Sequence, residues 1–160
     1  MTESTPFLPL LITALVAGLA GGLAMNAFMR MLTSKNAVPV DMTALLGILL
    51  TQSGNKAASK GTLIHLGFGV VFGLLYLWGM HAIAGVALPA SLFIGLGIGV
   101  VHGVIISLML MFLVRDTHPD EKQRGSEITF MTGLAYLAGH ACYGATVGLV
   151  GGLLFLLFTN

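Results

Sequence analysis

Charge is what this sequence has least of: Asp, Glu, Lys and Arg make up only 8% of its 160 residues, while 56% are hydrophobic. Soluble domains carry roughly a quarter charged residues, so water is not the main solvent of this chain. Its formal net charge is +1, which offers no basic groove, and no nucleic-acid partner is expected. Cysteine is nearly absent too. The single residue, Cys142, lies in an apolar stretch without an intrachain partner, which excludes both a disulfide framework and a cysteine zinc site. Also missing are a nucleotide-binding loop, a nucleophile motif and the clustered titratable groups an enzyme site needs. The chain therefore reads as non-enzymatic.

What is there instead is apolar length. Four segments, Phe7–Leu32, Thr62–Ile83, Ala90–Val114 and Ile128–Phe158, each exceed the roughly 20 residues that span a bilayer. Lipid gives the backbone no hydrogen-bond partner, and the segments lack the alternation of membrane barrel strands, so each must be a helix. The expected fold class is all-α: a polytopic membrane protein of four transmembrane helices in a single domain over 1–160. The first segment is expected to be retained as a span, because its leader carries Glu3 and no Lys or Arg and its apolar run is long for a signal core.

All 7 basic residues, Arg30, Lys35, Lys56, Lys60, Arg115, Lys122 and Arg124, fall toward one side of these spans. The positive-inside rule then makes loops 33–61 and 115–127 cytoplasmic and puts both termini outside. Within the first loop, Asp41 precedes the apolar run Met42–Leu50, which reads as an N-capped helix over about 41–52, too short to span. It is expected to lie on the inner leaflet, with a re-entrant gate as the alternative.

The second and fourth segments share a pattern. His65-Leu-Gly-Phe68-Gly69-Val-Val-Phe-Gly73-Leu74 aligns with His140-Ala-Cys-Tyr143-Gly144-Ala-Thr-Val-Gly148-Leu149, and Gly18, Gly22 and Asn26 align more weakly with Gly99, Gly103 and Ser107. This predicts two parallel two-helix repeats, over about 7–83 and 90–158, related by an axis along the membrane normal. Gly18 with Gly22, Gly69 with Gly73, Gly99 with Gly103 and Gly144 with Gly148 are spaced for close helix packing.

Polar residues within the spans are few. By the helical rise, His65 and His140 both lie about 27 Å from the outer ends of their segments, with Asn26 and Ser107 also in the inner half, suggesting a polar ring. His102 is placed midway along its helix, where a buried imidazole is costly unless neutral and hydrogen-bonded. Offset by about 9 Å in depth from the other two, it argues against a three-histidine zinc or copper site, and no metal is expected. Arg30 suits snorkelling to lipid phosphates, the methionines Met25, Met29, Met109 and Met111 suit ordinary packing, and Phe7, Tyr76 and Trp78 suit interface anchoring.

The glycine-rich first helix with the later HxxFGxxxGLxY-like segment His65–Tyr76 resembles a family of uncharacterised small four-helix bacterial integral membrane proteins. That resemblance implies a bacterial inner (plasma) membrane location and carries over no activity. The expected function is a non-enzymatic subunit or accessory component of a membrane complex, packing through its glycine faces against other membrane subunits or as a homo-oligomer. One alternative is a haem b-binding electron-transfer subunit with His65 and His140 as axial ligands. A second is a small oligomeric transporter or channel, against which stands the lack of any intramembrane carboxylate.

Overall fold

The computed structural model describes residues 7–35, 41–83, 85–117 and 129–159. It is all-α, built from α1 (Phe7–Ser34), α2 (Met42–Thr51), α3 (Ala57–Ile83), α4 (Ala90–Thr117) and α5 (Phe130–Thr159). Four of these supply stretches long and apolar enough to cross a membrane, in α4 the part Ala90–Leu110. Pro9 sits in the first turn of α1 and Pro89 just before α4, where a missing N–H costs a helix nothing. The first three expected segments were short at the basic ends. α3 begins at Ala57 rather than Thr62, because its first turns pack on α2. The loop 115–127 falls outside the described residues beyond Thr117, as do Met1–Pro6 and 36–40.

α1 packs on α3 and α5, α5 on α4, and α2 on α3, whereas α3 barely touches α4. Glycine sets the closest of these approaches. A Cβ added to Gly18 would lie 2.6 Å from the Gly69 carbonyl oxygen, and one on Gly73 would lie 2.7 Å from the Ala14 carbonyl oxygen. On the other side of the bundle, a Cβ on Gly99 would lie 3.2 Å from Gly144 Cα, and one on Gly95 3.1 Å from Gly148 Cα. With lipid outside, van der Waals contact between backbones replaces the hydrophobic drive that lipid cannot supply. Gly22 and Gly103 extend the two seams, facing Leu66 on α3 and Leu137 on α5 respectively.

The outward faces are apolar. Leu15, Leu19 and Leu23 on α1, Val71 and Leu75 on α3, Val101, Ile105 and Leu108 on α4, and Leu153 and Leu157 on α5 are all exposed. So much exposed apolar side chain is rare on water-solvated surfaces and suits contact with a bilayer.

α2 is set by its ends. The Asp41 carboxylate accepts from the backbone N–H groups of Thr43 at 2.9 Å and Ala44 at 3.0 Å, an N-cap that satisfies two donors of the first turn. Gln52 closes the helix in a left-handed conformation, its N–H donating to Ile48 O. Between these caps, Gly47 lies against Ala57 and Gly61 of α3 so closely that no side chain fits. α2 thus runs back along the start of α3, and Met42, Leu45 and Leu49 are buried.

Candidate functional site

Where α3 and α4 barely touch, a cavity of about 340 Å³ opens. α2 contributes Met42, Leu45 and Leu46 at one end, and α1 contributes Met25. α3 supplies His65, Phe68 and Phe72, α4 supplies His102, Ile106 and Met109, and α5 supplies Tyr136, His140 and Tyr143. Apart from the imidazole and phenol groups, this wall is apolar. Two of its members, Phe68 on α3 and Met109 on α4, are 46% and 48% exposed. Through these two side chains the wall reaches the outer surface of the bundle.

His65, His102 and His140 come together here; His81, near the other end of α3, does not. The rings of His102 and His140 are 4.7 Å apart, edge to face at 64°. This overturns the 9 Å depth offset expected between them. The counted ends of α4 and α5 are not level: Ser91, in the first turn of α4, lies against Gly148, so α5 runs about ten residues, or about 15 Å, past the start of α4. Depth counted from helix ends misplaces His140 by that overshoot.

Each ring is held by one nitrogen. His140 Nδ1 is 2.7 Å from the Tyr136 carbonyl oxygen; a carbonyl can only accept, so Nδ1 carries the proton and Nε2 keeps the lone pair. His102 Nδ1 is 3.0 Å from the Tyr76 hydroxyl. Tyr76 is only 3% exposed, and donation to His102 Nδ1 satisfies its O–H; the His102 proton then sits on Nε2. Among the described residues His102 Nε2 and His65 Nδ1 are buried without a hydrogen-bond partner, an arrangement that costs free energy until something supplies one. No carboxylate among the described residues lines the cavity, so the neutral rings are the forms to consider.

Aromatic rings brace the group. Phe72 lies 4.3 Å from His102, and Tyr76 meets Tyr143 edge-on at 5.2 Å. Tyr143 Oη donates to the Gly69 carbonyl at 2.6 Å, tying α5 to α3. Gly21 on α1 leaves room for the Tyr143 ring. Tyr76 is therefore not the interface anchor expected of it; Phe7 and Trp78 are exposed. Tyr76, Tyr136 and Tyr143 were missed as site residues. The alignment of Tyr143 with Phe68, each three residues after a histidine, was the one available signal.

Asn26 and Ser107 do not join the cavity. Ser107 donates to the Gly133 carbonyl at 2.9 Å, on the α4·α5 interface. Asn26 is 5% exposed, with neither side-chain polar atom bonded. It lines a second cavity of about 360 Å³ with Arg30, Thr33, Asp41 and Met42, and Met42 borders both cavities. Arg30 is exposed and donates to Thr62 Oγ1 at 3.3 Å. Partial burial works to raise the Asp41 carboxyl pKa, but the bonds from Ala44 and Thr43 and the nearby Arg30 charge outweigh it. The pKa ends below its ordinary value. Among the described residues, no group of three His, Cys, Asp or Glu side chains is arranged to hold a metal ion.

No protein family, curated protein or solved structure matches the chain.

Proposed function

We propose that this protein is a multi-pass membrane protein that binds a lipophilic small molecule, taken from the bilayer through the gap between α3 and α4. The observation that carries this reading is the cavity itself: apolar, about 340 Å³, with two buried and unpartnered imidazole nitrogens in its wall. An apolar pocket of this size with a few convergent polar groups is the usual form of a small-molecule site. The mouth between Phe68 and Met109 gives on to the surface that faces acyl chains when the four long helices span a membrane.

The parallel-repeat reading gains support from the seams, since Gly18 meets Gly69 as its aligned counterpart Gly99 meets Gly144. The orientation with loops 33–61 and 115–127 in the cytoplasm, and the bacterial inner membrane as location, rest on the basic residues and the resemblance alone. The glycine faces proposed for packing against other subunits are occupied within the chain: Gly18, Gly69, Gly99 and Gly144 each face a neighbouring helix of the same molecule. Ligand binding is accordingly the reading we prefer to a role as a structural subunit.

The test places a tryptophan in the cavity, Phe72→Trp with the exposed Trp78→Phe, in vesicles whose acyl chains carry bromine. Strong quenching at position 72 is expected, since lipid chains reach the cavity through its mouth. Fluorescence no more quenched than that of a tryptophan sealed in the α1·α5 contact would overturn the reading. The visible spectrum of the purified protein separates the haem alternative. A Soret band that disappears in His65→Ala and in His140→Ala would replace this proposal with that one.

A further inference from the structure

The two anchored rings do not present the same chemistry to the cavity. Tyr136 O holds the Nδ1 proton of His140, leaving Nε2 as an acceptor. Tyr76 occupies Nδ1 of His102, leaving Nε2–H as a donor, buried and unpartnered. The rings stand 4.7 Å apart, so one donating and one accepting ring are neighbours in a wall whose other polar members are His65, Tyr136 and Tyr143. A ketone or ester oxygen satisfies only the donor. An ether does no better. A hydroxyl group satisfies both, accepting one hydrogen bond and donating another.

We infer that the cavity takes an apolar molecule bearing a hydroxyl group, its oxygen accepting from His102 Nε2–H and its proton donated to His140 Nε2. This rests on the binding role proposed above and names the ligand class. Tyr76 acts as a positioning residue. By fixing the His102 tautomer it decides that the pair is one donor and one acceptor rather than two acceptors. A site built to bond a hydroxyl discriminates against analogues lacking it, because their binding leaves its buried polar groups unpaired.

Three probes of one shape read this directly: naphthalene, 2-methoxynaphthalene and 2-naphthol, titrated against the full-length protein in detergent with protein-free micelles as the blank. 2-Naphthol is expected to bind about tenfold more tightly than 2-methoxynaphthalene, which accepts but cannot donate. His140→Phe should erase that difference. Tyr76→Phe, which frees the His102 tautomer, should reduce it. Unchanged naphthalene binding in both variants shows that the cavity is intact. Ile106→Trp, which plugs the cavity, should remove binding of all three probes.

The outcomes separate the two claims. If no probe binds the wild type above the micelle blank, the cavity reading itself fails. Naphthalene binding without a preference for 2-naphthol overturns the hydroxyl inference and leaves the cavity reading standing. A preference that survives in both His140→Phe and Tyr76→Phe overturns the roles assigned to these residues.

Discussion

The seams of the bundle and the gap between α3 and α4 use the same helices by opposite means. In the seams, glycine removes every side chain from the line of contact, so that backbone meets backbone at Gly18 with Gly69 and at Gly99 with Gly144. In the gap, large rings stand between the helices: Phe72 and Tyr76 from α3, His102 from α4, His140 and Tyr143 from α5. One arrangement excludes all space and the other leaves about 340 Å³. The close seams fix the helices, and the gap between them is free to hold chemistry.

The sharpest way to break the comparison is to put a side chain into a seam. Gly144→Leu and Gly18→Leu would drive carbons into backbone atoms of the facing helix that cannot rotate away, and are expected to abolish the folded species by size-exclusion chromatography. The alanine versions are expected to cost about 1–3 kcal/mol each in thermal unfolding. Next in size is Tyr76→Phe in the gap. It leaves His102 Nδ1 buried without its partner and is expected to cost about 1–3 kcal/mol, where a purely apolar packing role for Tyr76 predicts almost none.

Asp41→Ala tests the helix that closes one end of the cavity and is expected to lower stability by about 1 kcal/mol through loss of the α2 N-cap. The sign with pH follows from its lowered pKa. The cap is fully present above the ordinary carboxylate value of 3.8 and is lost as pH falls through the lower folded value. Hydrogen-exchange protection of α2 should fall over that acid range in wild type and stay flat in Asp41→Ala. Smaller again, and opposite in sign, Gly67→Ala and Gly97→Ala point into open space and are expected to stabilise by about 0.4–1 kcal/mol, by limiting the unfolded chain. A large loss at either would show that seam and surface glycines do not differ as described.

Much of this fold was legible in the sequence because a bilayer permits few solutions. Length and apolarity alone give four long helices, and the spacing of Gly18, Gly69, Gly99 and Gly144 marks where they meet. Asp41 before an apolar run gave α2, down to its cap. The site was harder to read. His65, His102 and His140 stand out as buried polar residues, but their convergence depends on how far α5 slides along α4, and Gly148 meeting Ser91 is a register that counting from helix ends cannot supply. Tyr76 was hidden for a different reason. An amphipathic ring near the end of an apolar segment has the composition of an interface anchor, and only the position of α4 turns Tyr76 inward to His102.

If the proposed ligand enters between Phe68 and Met109, the lipid sets its occupancy. A ligand that enters from among acyl chains is drawn from a two-dimensional reservoir, and what governs filling of the cavity is its mole fraction in the lipid. Adding lipid at constant total ligand therefore empties the site, and the aqueous concentration falls in step with the mole fraction. Growth of the membrane, as well as synthesis of the ligand, would then determine how much of this protein is occupied.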